Sequence, residues 1–160
     1  MASGDTLGIF TALNNEPPAT GFATLDTRNS HAVLDFDIAG GEYANFTGVL
    51  PRNYAGSGIT VLIHYAMTSA TSSSVILTSA FERIGDGILD IDADSFAAQN
   101  TVTQAVPATT GHVDIASIAH TDGAQIDSLA VGESFRLQIN RTADGTTGDL
   151  ELLAVELKET

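Results

Sequence analysis

Hydrophobic and polar residues alternate with a period of two along much of this chain, and helical spacing is nearly absent. Successive side chains of a strand point to opposite faces, so such alternation buries one face and wets the other. Gly58–Met67 places Ile59, Val61, Ile63 and Tyr65 on one side and Thr60, Leu62, His64 and Ala66 on the other. In Ser134–Arg141, Phe135, Leu137 and Ile139 oppose Arg136, Gln138 and Asn140. Asp149–Lys158 sets Leu150, Leu152 and Ala154 against Glu151, Leu153, Val155 and Leu157. His112–His120 sets Val113, Ile115, Ser117 and Ala119 against His112, Asp114, Ala116, Ile118 and His120. Further strands are expected at Leu7–Ala12, Gly21–Thr27, His31–Asp37, Tyr43–Leu50, Ser74–Arg83, Ile88–Ala93 and Asn100–Val106. Short helical turns are expected only at Asp94–Gln99 and Ala124–Leu129.

Turn residues separate these segments: Asn14-Asn15 with Pro17-Pro18, Gly40-Gly41, Gly56-Ser57-Gly58, Gly85-Asp86-Gly87, Asp122-Gly123 and Asp144-Gly145. Gly and Asn reach positive φ at low cost, and Pro ends a ladder. One strand per dozen or so residues is the rhythm of an all-β, antiparallel two-sheet sandwich of jelly-roll type. Residues 1–18 form either an extended N-terminal arm or an edge strand, and 19–160 the sandwich domain. A chain of 160 residues is one domain by default, burying roughly 70% of its unfolded surface.

Composition narrows the function more than the fold. The chain carries 20 acidic and 6 basic residues, a net charge of -14. Most of the excess lies in the second half: residues 1–80 hold 6 acids and 2 bases, residues 81–160 hold 14 and 4. With a single Lys and five Arg, the chain is not expected to bind nucleic acid or an anionic membrane. There is no cysteine, which excludes disulfides, thiolate catalysis and thiolate-held metals. Met1-Ala2-Ser3-Gly4-Asp5 has no basic region leading into an apolar run, so no export signal is expected.

Candidate chemistry is thin. Asp90, Asp92 and Asp94 would share one face of a strand, near Asp86, and three carboxylates in a row are a weak candidate Ca²⁺ site. The Gly and terminal Glu of an EF-hand loop are missing at the required offsets, and a solvated acidic face explains the run as well. Of the four histidines, His112 and His120 share a face but would stand ~26 Å apart along a continuous strand, too far for one metal. His31 and His64 read as packed or rim residues. No Gly-x-Ser-x-Gly elbow and no Gly-rich loop ending in Lys is present, so no enzyme and no cofactor is expected. The absence of Trp, with only Tyr43, Tyr54 and Tyr65 as tyrosines, weighs against a flat aromatic platform for sugars.

Two stretches resemble bacteriophage virion proteins of jelly-roll type. The first is Phe46-Thr-Gly-Val-Leu-Pro51-Arg52-Asn53-Tyr54, with the Gly56-Ser57-Gly58 turn and the apolar run Ile59–Ala66. The second is Gly132-Glu-Ser-Phe135-Arg136-Leu-Gln-Ile-Asn-Arg141, an Asp-containing turn, and Gly148–Leu157. The resemblance spans residues 42–157; proteins of this kind are similar to capsid decoration (cement) proteins and to tail-associated or fibre-head domains. It implies a trimer on the outer surface of a capsid, made in the host cytoplasm and clamping neighbouring major capsid protein subunits. It carries no ligand motif. Within that reading Leu7, Ile9 and Phe10 are expected in arm contacts, and Arg52 and Tyr54 at an interface, where Arg and Tyr often anchor. The alternatives are a tail or fibre domain binding a host glycan or protein, and a carbohydrate-binding or glycan-acting jelly roll.

Overall fold

A computed structural model describes residues 4–160. Ten strands carry the fold: β1 (Thr6–Thr11), β2 (Thr24–Arg28), β3 (His31–Phe36), β4 (Glu42–Val49), β5 (Ile59–Met67), β6 (Ser74–Ile84), β7 (Asn100–Ala105), β8 (Asp114–His120), β9 (Ser134–Thr142) and β10 (Leu150–Glu159). They form two antiparallel sheets, ordered β2-β3-β10-β5-β8 and β4-β9-β6-β7, packed as a jelly-roll sandwich. β1 joins the first sheet on β10, so residues 6–11 form an edge strand of the sandwich. It takes the length of β10 that β3 leaves open: β3 pairs with Leu150–Leu152, β1 with Ala154–Lys158.

The core is the set of inward positions the alternation marked. Ile59, Val61, Ile63 and Tyr65 of β5 are buried against Phe135, Leu137 and Ile139 of β9 and Leu77 and Phe81 of β6. Burying each such side chain contributes roughly 1.5–3 kcal/mol. Phe10 reaches across from β1 to stack on Phe46 at 5.5 Å and to meet Phe135 edge-on at 6.4 Å. Gly48 makes room for this cluster, since a Cβ there would stand 2.7 Å from Phe135 Cζ. β5 is an interior strand between β10 and β8; its outward Thr60, Leu62 and His64 are half-buried and Ala66 is buried.

β10 departs from simple alternation. A bulge between Leu152 and Ala154 shifts its pairing with β5. Leu150, Leu152, Val155 and Leu157 therefore all face the core, while Leu153 and Ala154 are left half-buried. Such an inserted residue re-aims the side chains beyond it.

Three expected elements differ. Ile88–Ala93 forms no strand but a run of turns. The Asp90 carbonyl accepts from the N–H groups of Ala93 and Asp94, both at 3.0 Å, and Asp90 Oδ1 accepts from Asp92 N–H at 3.0 Å. An Asp side chain that satisfies backbone donors in this way competes with a ladder. Asp94–Gln99 carries no regular secondary structure rather than a helical turn, and leads into β7. The turn near Ala124–Leu129 shrinks to a 3₁₀ turn at Ala124–Ile126, closed by Asp127 and Ser128 at positive φ.

Candidate functional site

On the outward face of the first sheet a groove of about 440 Å³ is lined by Arg28, Asn29, His31, Val33, Ala66, Gly111, Val113, Glu151 and Leu153. Strand alternation puts His31, Val33 and Asp35 of β3 on this face. Antiparallel register sets Asp35 opposite Glu151, and Glu151 opposite Ala66 of β5. The bulge on β10 delivers Leu153 to the same floor. Val33, Ala66, Val113 and Leu153 make the floor apolar, and the charged pair Arg28–Glu151 is set into it.

Arg28 ends β2, where a two-residue hairpin leads into β3. Asn29 and Ser30 both take positive φ there, at 47° and 65°, as the right-handed twist of a tight hairpin demands. The Arg28 guanidinium donates from Nη1 to Glu151 Oε2 and to the Met67 carbonyl, the latter at 3.1 Å. Gly111 permits this pose, because a Cβ there would stand 3.0 Å from Arg28 Nη2. Glu151 is 6% exposed, so its charge depends on the guanidinium, which itself keeps contact with solvent.

An acidic recess of about 200 Å³ is lined by Thr24 of β2, Asp35 of β3, Glu42 of β4, and Asp37 and Asp149 outside the strands. Burial, then the charges of Glu151, Asp26, Asp149 and Glu42, push the Asp35 carboxyl up to about 6. Its Oδ1 is buried and has no hydrogen-bond partner among the described residues. The arrangement can donate from Arg28, Asn29 and His31, accept at Glu151, and rest an aliphatic surface on its floor. A small polar ligand with hydroxyl groups matches that set.

The sequence-derived candidates fall elsewhere. Asp90 and Asp92 are exposed on the 85–99 turn rather than aligned on a strand. Asp94 accepts from Ser95 N–H through Oδ1, while its Oδ2 is buried without a partner. Among the described residues no group of three or more His, Asp or Glu side chains is arranged to hold a metal ion. Leu7 and Phe10 are buried in the core, and Ile9 is 67% exposed. Arg52 is exposed and lies against Gly132. Tyr54 is buried, its hydroxyl donating to Asp122 Oδ1 at 2.9 Å and accepting from Gly58 N–H at 2.8 Å. The histidines disperse: His31 on the groove, His64 half-buried at an outward position of β5, His112 exposed ahead of β8, His120 buried.

Among the described residues, one serine–histidine hydrogen bond is present. Ser79 Oγ lies 2.7 Å from His120 Nε2, and His120 Nδ1 lies 3.2 Å from the Gln125 carbonyl. Both residues are 1% exposed, and burial holds the imidazole below its usual pKa. A substrate has no route to this pair; it fills hydrogen-bonding needs inside the sandwich.

No family model matches the chain, and no curated protein matches it in sequence. Solved structures do match in fold. The carbohydrate-binding module CBM36 in complex with calcium and xylotriose is 15% identical with a TM-score of 0.53, over 95% of this chain and 100% of that one. A family 35 carbohydrate binding module from Clostridium thermocellum is 8% identical with a TM-score of 0.54, over 94% and 98%. The CBM22-1 xylan-binding domain from Paenibacillus barcinonensis Xyn10C is 14% identical with a TM-score of 0.52, over 99% and 96%. At these identities the likeness is one of fold. It bears out the jelly-roll part of the virion resemblance, and nothing in it concerns a virion.

Proposed function

We propose that this chain is a non-catalytic carbohydrate-binding sandwich that takes a saccharide in the groove on the outward face of its first sheet. The observation that carries the reading is the Arg28–Glu151 pair set into an apolar floor, with Asn29 and His31 at its side. The fold shared with carbohydrate-binding modules supports it. The groove holds no Phe, Tyr or Trp, so recognition rests on hydrogen bonds to hydroxyls over an aliphatic floor rather than on ring stacking. The charge of -14 disfavours uronate-rich or sulfated chains.

Affinity electrophoresis through gels containing neutral polysaccharides, backed by a broad glycan array, tests this. Retarded migration is expected. His31→Ala and Asn29→Ala should each weaken binding roughly two- to tenfold, the worth of one lost hydrogen bond, without lowering the melting temperature. A blank array and unretarded migration would overturn the reading.

A second reading, capsid decoration by a trimer bound to the major capsid protein, draws on the exposed apolar side chains Ile9, Val113 and Ile115. Light scattering and rebinding to stripped capsids test it. A monomer that ignores capsids removes it.

A further inference from the structure

The β2–β3 hairpin joins the rest of the first sheet along a short seam. β3 pairs with β10 at Phe36–Leu150, Asp35–Glu151 and Leu34–Leu152, and there the ladder between them stops. Its middle rung sets one carboxyl opposite another. Like charges directly opposite on neighbouring strands work against pairing. Yet this hairpin supplies Arg28, Asn29, His31 and Val33 to the groove. The facing residues, among them Ala66, Glu151 and Leu153, belong to β5 and β10. Any parting of β3 from β10 therefore takes the groove apart.

Two opposed interactions act across the seam. Arg28 clasps it, its guanidinium donating to Glu151 and to the Met67 carbonyl. Asp35 strains it when ionised. Around that carboxyl stand Asp26 of β2, Glu42 of β4, Glu151 of β10 and Asp149 just ahead of β10, with Asp37 lining the same recess. Arg28 is committed to Glu151, and His31, four residues along β3, lies opposite Arg28. Asp35 Oδ1 is buried and, among the described residues, accepts no hydrogen bond. Burial and the four acids favour the neutral carboxyl over the anion, and its pKa rises from 3.8 to about 6.

We propose that the β2–β3 hairpin is a proton-controlled wall of the groove: with Asp35 protonated it docks on β10 and completes the groove, and with Asp35 ionised it swings away from β10 more often and the groove loses that wall. The consequence for ligand binding rests on the saccharide reading above; the hairpin motion does not. The docked hairpin holds the proton more tightly than the open one. Docking is therefore strongest in acid and weakens as pH rises through about 6. A rise from 3.8 to about 6 allows at most about a hundredfold change in opening. Solvent screening at this half-buried residue brings the expected change to roughly tenfold.

Hydrogen exchange of the whole chain tests this without any saccharide, read by mass spectrometry from about pH 4.5 to about pH 7.5 and corrected for the intrinsic rate. Residues 24–36 should exchange faster than residues 134–142 throughout, the mark of local opening. Their protection should fall roughly tenfold across the range, and Asp35→Asn should hold it near its acid value. Asp149→Asn removes one repelling charge; it should lower the midpoint of the fall, and it serves if the first variant does not fold. His31→Gln removes the imidazole at the groove and should leave the fall in place. Protection that ignores pH, a fall that persists in Asp35→Asn, or a hairpin that exchanges no faster than residues 134–142 overturns the proposal. In the gels of neutral polysaccharide, retardation of the parent should be stronger near about pH 5 than near about pH 7.5, and level for Asp35→Asn. No retardation at either pH defeats the saccharide reading alone, and the exchange result still decides the hairpin.

Discussion

Replacing Arg28 with Ala would strand a carboxylate. Glu151 is 6% exposed, lies opposite Asp35 in the β3–β10 register, and has Arg28 as its cationic partner. Removing one partner of a fully buried pair costs about 3–5 kcal/mol. Here the Arg28 side chain is 37% exposed, so solvent already screens the pair, and the expected loss falls to about 1–2 kcal/mol. In a domain of this length that lowers the melting temperature by roughly 2–8 °C. Urea unfolding at neutral pH measures the loss directly. Adding Glu151→Gln to Arg28→Ala should restore much of it, because an uncharged amide tolerates the site, and the double-mutant cycle isolates the coupling. A single variant within about 0.3 kcal/mol of the parent, or a double variant no more stable than the single, would refute the view that Arg28 holds a buried charge in place.

Two other outcomes follow from the same geometry. The Asp35 carboxyl is raised from 3.8 to about 6, so the folded state holds its proton more tightly than the unfolded one. Stability from this group is complete below about pH 4 and is lost as pH rises through about 6. Asp35→Asn should therefore melt higher than the parent at neutral pH, and the gain should fade on acidification; melting curves across that range check it, and a constant gain would count against the cause. Phe10→Ala should cost about 3–5 kcal/mol by opening a cavity among Phe46 and Phe135, as measured by urea unfolding; a loss under about 1 kcal/mol would mean β1 is only loosely attached.

What was legible in the sequence is what strand periodicity writes locally. The inward runs Ile59, Val61, Ile63, Tyr65 and Phe135, Leu137, Ile139 are the core, because a period-2 pattern states which face is buried whatever the partner. The alternation in Asp149–Lys158 groups Leu150, Leu152 and Ala154, but only Leu150 and Leu152 of that set face the core. The bulge at Leu153 hands the core to Val155 and Leu157, and a single inserted residue leaves no mark in a run of leucines and valines. The Ile88–Ala93 strand failed for a different reason: Asp90 satisfies the backbone of Asp92 through its own side chain, and nothing in the alternation signals that competition.

The groove was not legible at all. Arg28 and Glu151 stand 123 residues apart in the chain and meet because β2, β3 and β10 lie side by side. The traces in the sequence are single charges at outward positions of apolar strands, Asp35 between Leu34 and Phe36 and Glu151 between Leu150 and Leu152. Which charges face each other, and whether a space opens between them, depends on strand order and register. Those are set by long-range pairing, about which a local pattern of side chains carries no information.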